Sequence, residues 1–103
     1  MLTVGLWSYN GPCLAGAIRE SARTQKPLII AFDEEEETLK AIEEGLISAT
    51  IVQKPFEFGY QSMKLLKESK EGKAVPSAVD TGIDTVDKAN LPSFWQELRE
   101  LRK

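Results

Sequence analysis

Apolar positions along this chain come in short strand-like runs that alternate with helix-spaced stripes. Residues 2–9 (LTVGLWSY) are rich in strand-preferring types and end at Asn10-Gly11-Pro12, which predicts a strand and then a turn. Leu14, Ile18 and Ala22 follow at four-residue spacing, with Ala15 and Ala17 beside them and Arg19, Glu20 and Arg23 elsewhere on the wheel. That is a helix with one buried stripe, its start marked by Asn10 as an N-cap and by Pro12 in the first turn. After Gln25-Lys26-Pro27, the run Leu28-Ile29-Ile30-Ala31-Phe32 is apolar at every position, as in a strand covered on both faces of a parallel sheet. Asp33 closes it, residues 34–37 open a helix with Leu39, Ile42 and Leu46 on its buried side, and Gly45 ends that helix.

Residues 48–52 form a third strand, broken at Gln53-Lys54-Pro55, because proline pushes the residue before it toward extended geometry and restarts the chain as a helix. That helix shows Phe56, Tyr60, Met63 and Leu66 on one side and ends in the solvated, glycine-containing tail 67–73. Between 75 and 86, Val79, Ile83 and Val86 are spread among turn formers, which reads as a short edge strand. Leu91-Pro92 opens a last helix with a stripe of Phe94, Trp95, Leu98 and Leu101. The order β-α-β-α-β-α-β-α with short connections predicts an α/β fold with a mostly parallel sheet, right-handed crossovers and helices on both faces, a three-layer α/β/α arrangement.

At 103 residues the chain makes one small domain at most. A net charge of −3 with scattered basic residues argues against a nucleic-acid surface. No apolar run approaches the length of a membrane span, and MLTVGLWSYN lacks the regions of a signal peptide, so no export address is expected at this end. Cys13 is the single cysteine, which excludes an internal disulfide, and without histidine the usual zinc ligand and neutral-pH general base are missing. With no nucleophile–base pair and no phosphate-binding glycine loop, an enzyme is the least expected class, and no cofactor is implied.

Ligands of open α/β sheets sit beyond the carboxyl ends of the strands. Asn10, Asp33 and Gln53 stand at three such ends. Two amides and a carboxylate offer the mixture of donors and acceptors that a polyhydroxylated ligand needs, with Trp7 and Tyr9 near the first strand end to add aromatic contact. Each also has a plainer reading: Asn10 as a helix cap, Asp33 with Glu36 as a capping box, Gln53 as a polar residue before Lys-Pro. The acidic run 33–37 fits a helix start better than a metal site.

The stretches TVGLWSYNGPCLAGAIRE, PLIIAFDEEEETLKAIEEG and ATIVQKPFEFGYQSMKLL, in that order, resemble the C-terminal part of the periplasmic sugar-binding proteins of ABC transporters, of the ribose-binding type. The likeness runs from Val4 to about Val86. It implies part of one lobe of the type I periplasmic-binding-protein-like fold, in which a monosaccharide is clasped between two lobes and handed to a membrane permease. Carried over, the family's sugar contacts fall on Asn10, Asp33 and Gln53. Residues 53–55 resemble a hinge crossing, with helix 56–72 belonging to the opposite lobe and residues 79–83 returning to the first. The resemblance implies a periplasmic location.

The rest of the family's two lobes has no counterpart in these 103 residues, so the chain is expected to be a single partial domain with an incomplete pocket. The stripe on helix 56–72 then needs a partner surface, and a homo-oligomer is expected, formed by exchange of this helix or of the C-terminal one. Two other classes stay open: the effector-sensing domain of a lactose-repressor-type transcription regulator, which shares the two-lobed fold, and a non-binding, self-associating α/β module.

Overall fold

The computed structural model describes all 103 residues. Its elements are β1 (Leu2–Val4), α1 (Asn10–Glu20), β2 (Leu28–Phe32), α2 (Glu36–Glu43), β3 (Ala49–Gln53), α3 (Pro55–Lys70), β4 (Ile83–Asp87) and α4 (Leu91–Leu101). The sheet order is β1-β2-β3-β4. β1 pairs with β2 in parallel (Leu2 with Leu28, Val4 with Ile30), as does β2 with β3 (Ile30 with Ala49, Phe32 with Ile51). The α/β class and the mostly parallel sheet are those that the alternation predicts. The chain divides into two compact units, Met1–Val52 with Thr85–Lys103, and Gln53–Asp84.

The first unit holds the core. Successive strand side chains point to opposite faces, and Ile29, Ala31, Thr50 and Val52 are the buried set. They join Ala15 of α1, Leu39, Ala41 and Ile42 of α2, Ile47, Val86 and Leu91, with Leu14, Ile18, Leu46, Phe94, Trp95 and Leu98 packed against them. Each large side chain removed from water in this way contributes about 1.5–3 kcal/mol. α1, α2 and α4 thus supply the layer over one face. On the other face Leu2, Val4 and Leu28 are exposed, and Ile30, Phe32 and Ile51 are half-buried. The strand run is apolar on both sides, as burial of both faces requires, and the helices of this unit cover one of them.

Local details depart from the sequence reading where tertiary context wins. β1 ends at Val4 instead of reaching Tyr9: Gly5 still donates its N–H to the Ile30 carbonyl (2.9 Å), and then the chain turns, leaving Leu6 and Trp7 exposed. α1 stops at Glu20, where Ser21 is extended (ψ 132°), so Ala22 lies beyond the stripe. α2 starts at Glu36 and closes as expected on Gly45, which takes φ 79°. Gly45 and Leu46 donate to the Ile42 and Ala41 carbonyls, the two bonds of a Schellman motif, and this puts Leu46 after the helix, not within it. Leu101 is exposed, so the α4 stripe ends at Leu98.

α1 and α2 come close at Gly11, where a Cβ would lie 2.6 Å from Thr38 Oγ1 and 3.2 Å from the Ala31 Cβ. Thr38 is fully buried and its hydroxyl has no hydrogen-bond partner. Arg19 clips the two helices together on the surface through a forked bond to Glu44 (2.9–3.1 Å).

The second unit is built on α3. Pro55 occupies its first turn, where a missing N–H costs little. Gly72 (φ 80°) ends it, with Gly72 and Lys73 donating to the Ser69 and Glu68 carbonyls. A groove lined by Phe58, Gln61 and Leu65 on one side and Pro76, Ala78 and Val79 on the other separates α3 from the segment that leads to β4. Lys54 Nζ pairs with Asp84 Oδ1 at 3.3 Å, tying the start of this unit to its end. None of its residues is buried, and Phe56, Tyr60, Met63 and Leu66 are all exposed. No helix of the chain is long and apolar enough to cross a membrane.

Candidate functional site

Asn10 is placed by the turn that follows β1. Its N–H donates to the Trp7 carbonyl and its Oδ1 accepts the Trp7 N–H, both at 2.9 Å, so the residue closes a four-residue loop on itself. The helix-capping reading is corrected here: Asn10 is the first residue of α1, the N-cap position is Tyr9, and no side chain caps it. With Oδ1 occupied, the two Nδ2 hydrogens are the donors that Asn10 can direct outward. Gly5 makes the arrangement possible, since a Cβ there would stand 2.7 Å from the Asn10 Cβ.

Asp33 follows β2 directly and is the one non-glycine residue with positive φ, 68°. A left-handed conformation costs an ordinary L-residue roughly 1–2 kcal/mol, and such outliers persist where the surroundings over-determine them. Here β3 does so from both sides. The Asp33 N–H donates to the Ile51 carbonyl (2.8 Å), and the Asp33 carbonyl accepts the hydroxyl of the fully buried Thr50 (2.8 Å). The capping-box reading of Asp33 and Glu36 is also corrected, because α2 begins at Glu36 behind a Glu35 N-cap that makes no side-chain bond.

Gln53 is the last residue of β3 and is exposed. Lys54 (φ −112°, ψ 73°) then leads into Pro55. Asn10, Asp33 and Gln53 therefore stand at or just beyond the carboxyl ends of β1, β2 and β3, strands that are neighbours in the sheet. Trp7 and Tyr9, in the Asn10 turn, are exposed by about two-thirds of their surface. Gly5 and Thr50 are the residues that sequence reasoning passed over. The signal for each was a small or polar residue inside an apolar strand run, which is also what an unremarkable strand contains.

The perturbed charges lie on the outer face of α2. Glu36 and Lys40 pair at 2.6 Å, and their hydrogen bond first, then their mutual attraction, hold the carboxyl below its usual range and the ammonium above its own. No group of three or more carboxylate or cysteine side chains is arranged to hold a metal ion.

Comparison with known proteins identifies the family of the chain. The family described as "Periplasmic binding protein domain" matches residues 3–74. The D-allose-binding periplasmic protein of Escherichia coli (strain K12) is 33% identical over 64 residues, which are 61% of this chain and 21% of that protein. Among solved structures, GanP, a glucose-galactose binding protein from Geobacillus stearothermophilus, superimposes with a TM-score of 0.83 and 34% identity over 88% of this chain and 32% of its own. A carbohydrate transporter solute-binding protein from Agrobacterium radiobacter, solved with D-arabinose, gives a TM-score of 0.79 and 28% identity over 95% of this chain and 33% of its own. The chain thus spans about a fifth of the length of the curated relative and about a third of these structures. With some seventy per cent of its residues matched in one block, the chain belongs to the periplasmic binding protein domain family.

Proposed function

We propose that this chain carries part of a monosaccharide site of a solute-binding protein that serves an ABC transporter in the periplasm, and that Asn10, Asp33 and Gln53 are its sugar contacts. The observation that carries the reading is Asp33: a carboxylate-bearing residue in the left-handed conformation, gripped by β3 through its own N–H and carbonyl at the carboxyl end of a parallel strand. Strain of this kind, at the place where α/β sheets receive ligands, supports a binding role. Sugar hydroxyls would donate to the Asp33 carboxylate and exchange donor and acceptor roles with the two amides, while Trp7 or Tyr9 offers a ring to the apolar face of the sugar. The work asked of these residues is recognition without bond making, so the reading is of a binding protein and not an enzyme.

The same reading gives three further assignments. Residues 53–55 are a hinge crossing, and α3 belongs to the opposite lobe; the division of the chain at Gln53 supports this. The membrane partner is the transporter permease. The third partner is a second copy of the chain, because a unit with no buried residue and an exposed Phe56-Tyr60-Met63-Leu66 stripe needs a surface to cover it.

A charged hydrogen bond contributes about 1.5–3 kcal/mol and each neutral one about 1, so before the cost of immobilising the sugar the three contacts alone allow a Kd no tighter than on the order of 1 mM. Calorimetric titration with ribose, xylose, allose, galactose and glucose tests this. Saturable binding of at least one sugar, abolished in Asp33→Ala, is expected. Binding that survives Asp33→Ala, or a folded chain that binds none of the five, would overturn it.

A further inference from the structure

The first unit presents an apolar sheet face that its own helices leave uncovered, and the second presents an apolar helix face. On the sheet, Leu2, Val4, Leu28, Ile30, Phe32 and Ile51 share one side and none carries a charge. On α3, Phe56, Tyr60, Met63 and Leu66 recur at spacings of four, three and three and form one uncharged stripe. Their lengths agree. Ten residues of helix rise about 15 Å, and a five-residue strand spans roughly 17 Å.

We infer that the α3 stripe of one copy docks on the open sheet face of a second copy, reciprocally, in a twofold dimer. This rests on the reading that the chain self-associates, and names the surfaces through which it does so. The area argues for another copy as the acceptor. Stripe residues 57–73% exposed, together with Leu2, Val4 and Leu28 at 48–63%, present on the order of 800 Å² per copy, the share that each partner contributes to a stable interface. Because the contact is isologous, every copy gives one helix and receives one, and neither apolar surface is left in water.

Disulfide trapping between unlike copies tests the docking. The exposed Cys13 is first replaced (Cys13→Ser), and Leu28→Cys and Met63→Cys are then made in separate chains, one of them enlarged by a tag. Mild oxidation of the mixture is expected to give the mixed 28–63 dimer as the main product, with little cross-linking of either variant alone. A dimer by light scattering that yields no mixed product would overturn the docking and leave self-association standing; a monomer at high micromolar concentration would remove both. Met63→Glu, at a position exposed in the single chain, supplies a second readout: helical content should be kept while the dimer dissociation constant rises at least about tenfold, and an unchanged constant would contradict the proposal.

Discussion

Asp33 is the residue at which folding and the proposed recognition are in conflict, and the conflict is measurable. Its φ of 68° suits glycine better than any other residue, yet a carboxylate stands there. Comparing Asp33→Gly with Asp33→Ala isolates the backbone cost, since both lose the side chain and keep the N–H and carbonyl bonds to Ile51 and Thr50. The glycine variant is expected to be more stable than the alanine variant by about 1 kcal/mol in urea denaturation, with neither binding sugar. Equal stabilities would mean that the left-handed geometry is not retained in solution. Asn10 and Gln53 share with Asp33 a place at or just beyond a strand end. What the sequence withheld was how Asn10 is held: a reciprocal pair of bonds to Trp7, where local pattern suggests a helix cap.

At the scale of elements, the contact between α1 and α2 is the tightest point of the first unit. Gly11 lets the helices approach, and Thr38 enters the core with its hydroxyl unpaired. Thr38→Val keeps the shape and removes the orphaned group, so it is expected to stabilise the chain by about 1 kcal/mol. Gly11→Ala puts a methyl where the Thr38 hydroxyl and Ala31 already stand and is expected to cost about 1–3 kcal/mol. Thermal unfolding of the two variants checks both signs; a destabilised Thr38→Val would show that the hydroxyl has a partner in solution. Elements fixed by local chemistry were legible in the chain, including the uniform run of β2, the Pro55 restart of α3 and the Gly45 and Gly72 terminators. Ends fixed by tertiary contact were not. Leu6 and Trp7 are strand-type residues left in solvent because the Asn10 turn, not propensity, ends β1, and Ala22 fits a helical spacing that Ser21 has already broken.

At the scale of the whole molecule, the fold presents the carboxyl ends of β1, β2 and β3 side by side. Asn10, Asp33 and Gln53 are the proposed contacts, and Thr50 and Ile51 of β3 hold the Asp33 backbone in place. Binding by this chain should therefore be weak, local and dependent on that carboxylate. The most direct measurement is residue-resolved NMR of the labelled chain titrated with allose, arabinose, galactose and glucose at concentrations up to tens of millimolar. Saturable shifts confined to the amides around Asn10, Asp33 and Gln53, including the Asn10 and Gln53 side-chain amides, and absent in Asp33→Ala, are what the account predicts. A folded spectrum that no sugar perturbs, or saturable shifts centred elsewhere on the chain, would contradict it.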